Sequence, residues 1–374
     1  ALAGLAVGAV LTAAPLAAAP AGPALPVSVG ADLVLAHTDN LFQSYTRRAE
    51  WVRQVSVDLD YGRGDLGLYY TGHASLFAEY EDLFTQTHTV GLSLVRPGPE
   101  RRLWTGDASL SLRSGRPAYE YKDYVEGNAS LTGKGYLGPA LMWRSGVGGA
   151  LRAYRHAGDF SYAEPSAWAL VSRFLPTRTT LQAGADAGAK VYVRAAADSS
   201  SADYARTAGD RLQVLATGWV KVAQSLGPRT GLQIQYTGQA LLAGAARYRR
   251  GEEYDPGEEL FDDGYSHSSR QLRGVLKHQG LGGFDLTAAT YRARRRYDGR
   301  PALTLDGDLL PGDPTRRDTR TGLQVRADRS LGILLPPAGE LLLRLEWTLQ
   351  KVDSNDPYYD ARTQVYAASL RLGR

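Results

Sequence analysis

The chain has 374 residues, a formal net charge of +4, no cysteine and one methionine. Its mean hydropathy is −0.30, and past the N-terminus no apolar run reaches the roughly 18 residues that a membrane helix needs. The composition excludes disulfides and thiolate metal sites, and no stretch joins clustered Lys and Arg to stacking aromatics as a nucleic-acid surface does.

The opening run, ALAGLAVGAVLTAAPLAAAPAGPA, is apolar and Ala-rich and ends in small residues, with A-x-A-like sites near Ala19 and Ala24. This pattern resembles the h-region and cleavage site of a secretory signal peptide. Pro15, Pro20 and Pro23 argue against one long helix. An initiator Met and a basic n-region are missing, so the sequence enters the signal partway. The expected organisation is a signal over residues 1–24 and one β domain over 25–374.

After it the residues alternate. Val27 to His37 puts Val27, Val29, Ala31, Leu33 and Leu35 on one face. Trp51 to Tyr61 does the same with Trp51, Val55, Val57, Leu59 and Tyr61, against Gln54, Ser56, Asp58 and Asp60. Gly62-Arg63-Gly64-Asp65 turns the chain, and Leu66 to Phe77 brings it back. Each arm runs about ten residues, the length of a tilted strand crossing a bilayer. Strands of soluble sandwiches and propellers are typically about five or six residues long.

The scheme continues through His88 to Leu94, Trp104 to Leu112, Tyr124 to Tyr136 and Leu141 to Leu151. Ala167 to Leu175 is the least regular, with apolar residues on both faces. Leu181 to Val191, Leu212 to Val222, Leu232 to Gln239 and Arg270 to His278 follow, then a strand from Phe284. Leu323 to Asp328, Leu341 to Gln350 and Val365 to Leu372 complete the series. The count is about sixteen, or fourteen if the eighth or thirteenth merges with a neighbour.

The connections keep a rhythm. Those after even-numbered strands are short and rich in Gly and Pro, such as Pro176 to Arg178, Gly227 to Arg229 and Gly280 to Gly283. Those after odd-numbered strands are long and polar, such as Arg194 to Asp210, Leu241 to His267, Ala293 to Asp318 and Val352 to Ala361. Short periplasmic turns and long extracellular loops alternate in this way around outer-membrane barrels. Aromatics near strand ends, namely Trp51, Tyr61, Trp104, Tyr136, Trp143, Tyr154, Trp168 and Tyr192, are expected to form interfacial girdles.

From Val27 to Leu372 the chain therefore resembles bacterial outer-membrane β-barrel proteins of the porin kind. The resemblance lies in pattern and length. It implies an all-β fold, a transmembrane antiparallel up-and-down barrel in the outer membrane of a Gram-negative bacterium, with no cofactor and no enzymatic activity. Its partners would be outer-membrane lipid, lipopolysaccharide and small hydrophilic solutes, not nucleic acid. Two departures stand out. Such barrels usually close on an aromatic residue, whereas this sequence runs Leu370-Arg371-Leu372-Gly373-Arg374. General porins also fold a long loop after the fifth strand inward, and here Ser114 to Asp123 is short.

Parity assigns the lining of a channel: Arg144, Arg152, Lys190, Lys221, Arg273, Lys277, Arg326 and Arg344, with Asp58, Asp60, Asp107, Asp186 and Glu346. The small basic excess predicts passive diffusion of small hydrophilic solutes with a weak anion preference. The alternative is a structural or interaction barrel whose long loops bind a partner or polysaccharide. A third reading, an outer-membrane lipid hydrolase, rests on His267 and Ser269, two residues apart on one strand face. No third residue to orient the His is evident. The acidic loop Gly251 to Gly264 lacks calcium-loop spacing, and Arg292 to Arg296 (RARRR) could bridge lipopolysaccharide phosphates or simply snorkel at a strand end.

One expectation is directly measurable. N-terminal sequencing of the membrane-purified protein should read from near Leu25. A first residue upstream of Ala19 would sink the signal assignment.

Overall fold

The computed structural model describes residues 27–194, 206–208, 210–245, 248–250, 264–335 and 339–373. The signal-like run 1–24 and residues 251–263 of the acidic loop lie outside them, as do most of the loops after the ninth and eleventh strands.

In lipid, a β-strand must pair both its edges, because no water is there to satisfy its N–H and C=O groups. The chain meets this demand with a closed barrel of sixteen antiparallel strands, which rules out the fourteen-strand alternative. We number them in chain order. The first eight are β1 (Val27–Thr38), β2 (Glu50–Arg63), β3 (Leu66–Phe77), β4 (Thr85–Pro97), β5 (Leu103–Gly115), β6 (Tyr124–Tyr136), β7 (Leu141–Tyr154) and β8 (Tyr162–Phe174). The others are β9 (Thr179–Tyr192), β10 (Leu212–Ser225), β11 (Thr230–Ala243), β12 (Ser268–Leu281), β13 (Phe284–Pro301), β14 (Thr315–Leu335), β15 (Gly339–Ser354) and β16 (Ala361–Gly373). Every strand pairs with its neighbours in sequence, and β16 closes on β1 from Ala31↔Leu372 to Thr38↔Val365. Two three-residue strands, Arg206–Ala208 and Tyr248–Arg250, pair with each other outside the barrel.

The alternation of types becomes an alternation of environments. Trp51, Val55, Val57, Leu59 and Tyr61 on β2 are 38–50% exposed, while Val52 between them is fully buried. Leu110, Leu131, Val147, Val220, Ile234 and Leu345 point outward in the same way. A soluble protein does not carry so much contiguous exposed apolar surface. Here it forms the lipid-facing band of a barrel.

The two ends differ. At one end the connections are tight, such as 64–65 with Gly64 at φ +62°, a backbone state that glycine reaches at no steric cost. At the other end short 3-10 helices lie over the rim: Glu81–Leu83, Pro117–Lys122, Gly158–Phe160 and Pro357–Tyr359. Buried Glu50 anchors one of these loops. Its carboxylate accepts the backbone N–H groups of Ala78 at 3.0 Å and Tyr80 at 2.9 Å. Asp356 anchors another by accepting the N–H groups of Leu303 and Tyr358, both at 3.2 Å. Burial pushes the Asp356 carboxyl up, against those N–H groups and the guanidinium groups of Arg316 and Arg300.

Two expectations need correction. Half of the connection expected from Ala293 to Asp318 is strand, because β13 runs on to Pro301 and β14 begins at Thr315, which leaves 302–314 between them. Inward Tyr297 is buried there against Arg316, Arg320 and Asp318, and that packing holds both strands well past the apolar band. Tyr154, Trp168 and Tyr192 are not girdle residues. They share the parity of Arg152, Ser172 and Lys190 and face inward. Trp51, Tyr61 and Trp104 do face outward.

The two faces should respond differently to one substitution. Val220→Arg, placed in lipid near mid-strand, should cost about 2–4 kcal/mol of barrel stability, whereas inward Gln233→Arg should cost less than about 1 kcal/mol. Urea titration of the protein refolded in lipid vesicles measures both. Equal costs would contradict the face assignment.

Candidate solute channel and its lining

Strand parity and register place the charged inner-wall residues at distinct positions. In the half near the tight turns, acids gather on one arc. Asp58 accepts a hydrogen bond from the Thr71 hydroxyl at 2.9 Å, Asp60 one from Ser28 at 3.5 Å, and Asp107 one from the Tyr69 hydroxyl at 3.1 Å. All three lie on β2 and β5. Bases gather on the far arc of the ring. Lys221, Gln235 and Arg273 stand side by side across β10, β11 and β12, with Gln182 beyond Lys221. Lys277 lies further along β12 on the same inward face. Arg144 on β7 lies opposite Lys134 and 5.6 Å from the Trp168 ring. Asp186, beside Thr217, is the acid within the basic arc.

Arg326 and Arg344 are brought together by a residue outside the expected lining. Arg344 Nε donates to Asp328 Oδ1 at 2.6 Å, and Arg326 Nε lies 2.9 Å from Asp328 Oδ2 without hydrogen-bond alignment. Glu346 sits opposite Arg326 in the register. These four side chains balance in charge. The sequence places Asp328 on the same face as Arg326, but the contact to Arg344 depends on a cross-strand register that the sequence alone does not fix.

Nearer the loops the wall is aromatic. Arg152 forms an ion pair with Glu126 at 2.5 Å, and its guanidinium lies 4.1 Å from the Tyr124 ring centroid. Lys190 Nζ lies 3.9 Å from the Tyr162 ring. Tyr154, Phe160, Tyr162 and Tyr192 pack into one buried cluster beside them. A cation over an aromatic face is attracted by the ring quadrupole, more strongly where water is thinned out. Around the ring, on β14, Arg316 and Arg320 both hold Asp318, at 2.7 and 3.1 Å. Arg316 lies 3.3 Å from the Tyr359 ring. Arg152 and Lys190 are inward as their parity predicts, but tyrosines sheathe them, which the list of charged lining residues does not reveal. Parity alone puts Tyr154 and Tyr192 beside them, two residues along each strand.

Four inward rings lie directly opposite glycines across the sheet: Tyr69 over Gly91, Trp168 over Gly146, Trp219 over Gly184 and Tyr291 over Gly322. A Cβ at Gly184 would stand 2.6 Å from Trp219 Cζ2, and one at Gly146 2.7 Å from Trp168 Nε1. No side chain fits between ring and backbone, so each ring lies along the wall. Covering a strand glycine with an aromatic ring in this way also restores packing that the missing side chain would lose.

His267 does not meet Ser269. It is buried, its Nδ1 lies 3.2 Å from the hydroxyl of adjacent Ser266, and its ring packs on Tyr297. Among the described residues no hydrogen bond joins it to Ser269.

No protein-family model matches the sequence, and no curated protein matches it. Solved structures match in fold. The outer membrane protein opdK from Pseudomonas aeruginosa aligns over 92% of this chain and 98% of its own, with a TM-score of 0.51 at 10% identity. OprD from the same organism aligns over 92% and 94%, with a TM-score of 0.45 at 10% identity. CdiB from Acinetobacter baumannii aligns over 92% of this chain and 60% of its own, with a TM-score of 0.49 at 10% identity. At this identity the likeness is one of fold: the closed β-barrel is shared with the outer membrane protein opdK.

Proposed function

We propose that the protein is a passive channel for small hydrophilic solutes in a bacterial outer membrane. The observation that carries this reading is the inner wall. Sixteen strands enclose more cross-section than side chains fill, and four inward rings, Tyr69, Trp168, Trp219 and Tyr291, lie flat against glycines. Gln, Ser, Thr and charged groups line the rest, as a wet wall requires. The outward band would sit in outer-membrane lipid and lipopolysaccharide, as the fold shared with an outer membrane protein supports. A weak anion preference belongs to the same proposal. It rests on Arg144, Lys221, Arg273 and Lys277, for which no carboxylate partner occurs among the described residues. Asp58, Asp60 and Asp107 across the ring oppose it, so the preference is small.

Planar-bilayer recording tests the channel. Stepwise openings should appear, with the reversal potential displaced toward the anion in a salt gradient. A protein that conducts only after loops 241–267 and 302–314 are shortened would favour the partner-binding barrel instead. The lining makes two finer predictions. Lys221→Gln with Arg273→Gln should shift the reversal potential toward cations, and Arg344→Gln should shift it less, because its charge is shared with Asp328. Gly184→Val should push the Trp219 ring off the wall and lower single-channel conductance, and Trp219→Ala should raise it. Unchanged conductance in both would mean that the ring lies outside the solute path.

A further inference from the structure

The outer surface of the barrel carries a charge that a solute channel does not use. On β12 to β16, just beyond the apolar band at the loop end, outward positions are basic. Arg270, Arg292, Arg294, Arg317 and Arg362 are all exposed and, among the described residues, have no side-chain partner. Register sets them against one another: Arg270 lies directly opposite Arg294, Arg296 opposite Arg317, and Lys351 opposite Arg362. Only Arg296 and Lys351 have acids, Asp298 at 2.8 Å and Asp353 at 2.6 Å. Like charges directly opposite in a sheet destabilise it. Of the three pairs, only Arg270–Arg294 has no acid at either member among the described residues, and the other two keep one cation without an acid each.

The basic residues are densest on this arc; elsewhere at the loop end Arg53 on β2 and Arg155 after β7 are exposed singly. At the loop end of β6, β7, β10 and β11 the outward residues are Val125, Leu151, Leu212 and Leu242, which are exposed and apolar. Snorkelling at the interface accounts for single cations spread round the ring, not for several set against one another on neighbouring strands. Closer to mid-membrane, the outward faces of the same strands present Thr290, Leu323 and Leu349. The cations therefore stand at the boundary where lipid headgroups lie, above a surface that acyl chains cover.

We propose that this arc is a binding site for a multiply phosphorylated glycolipid headgroup of the outer leaflet. Guanidinium groups engage phosphate through paired N–H donors. Phosphates seated between Arg270 and Arg294, and between Arg296 and Arg317, turn each repulsive pair into a bridge. The number of cations exceeds what one phosphate contacts, so a headgroup with two phosphates fits better than a single phosphodiester. The inference rests on the reading of the barrel as an outer-membrane protein.

The test compares the full chain with the variant Arg270→Gln/Arg294→Gln/Arg317→Gln, with Arg329→Gln at the turn end as control. Native mass spectrometry in detergent would count retained bisphosphorylated lipid A, monophosphorylated lipid A and phosphatidylethanolamine. The native protein and the control should retain the bisphosphorylated lipid best, and the triple variant should lose about tenfold of that retention. The melting temperatures should cross over. Without lipid the triple variant should melt no lower than the native protein, since repulsion has been removed. In bilayers containing lipid A it should melt lower. Equal retention by native and triple variant overturns the proposal. So does an equal gain in melting temperature from inorganic phosphate at the same concentration, which would mark a site for any small anion. A protein that fails to insert into bilayers at all would overturn the membrane reading, and the patch with it.

Discussion

Everything in this molecule follows from the need to satisfy backbone hydrogen bonds where water is absent. A strand in lipid can pair only with another strand, and a sheet in lipid can have no free edge. Closure is therefore a condition of existence for this chain. With every pair antiparallel, it fixes an even strand count with both ends of the strand series on one side, and it gives each strand one face toward lipid and one toward the lumen. The side chains then specialise. Outward positions carry Val, Leu and Ile, and inward positions carry Gln, Ser, Thr, Gly and charge.

Within that frame the lumen solves a packing problem of its own. Large aromatic residues on the inner wall would obstruct it if they stood upright. Register instead sets Tyr69, Trp168, Trp219 and Tyr291 against glycines, so each ring lies over backbone. Nearer the loops the opposite choice is made. Tyrosines there crowd around Arg152 and Lys190 and bury part of their charge. One half of the wall stays polar and low in relief, and the other is thickened by cation–aromatic packing.

Much of this is legible in the order of the residues. The strand number, the side on which the turns lie and the parity of the lining residues follow from period-two alternation, because lipid imposes a sharp contrast between the two faces. Where that contrast ends, the signal ends. Beyond the apolar band Arg292, Arg294 and Arg296 face outward while Arg295 and Tyr297 face inward, so both faces read polar and the strand resembles a loop. Aromatics are misplaced when proximity to a strand end outweighs parity, as at Tyr154. The sharing of Asp328 by Arg326 and Arg344 is invisible for another reason: contacts between strands depend on register, and register depends on the whole ring. His267 and Ser269 show the converse. His267 falls just before β12, after the 3-10 turn Gly264–Ser266, and packs on Ser266 and Tyr297, so the two-residue spacing never becomes a shared strand face.

The seam between β1 and β16 has a consequence for how the barrel is made. Pairing there begins only at Ala31↔Leu372, while β1 pairs with β2 from Val27 onward. At the loop end the seam is reinforced, for the Asp39 carboxylate accepts the Gln364 N–H at 2.6 Å and the Asp39 N–H donates to the Gln364 carbonyl at 3.1 Å. The joint between the first and last strands is thus clamped at the outer rim and thin at the inner one. Since it joins the two ends of the strand series, no local hairpin can prepay its loop entropy. Ring closure is therefore the pairing of largest sequence separation in the sheet, and so the one that costs the most loop entropy.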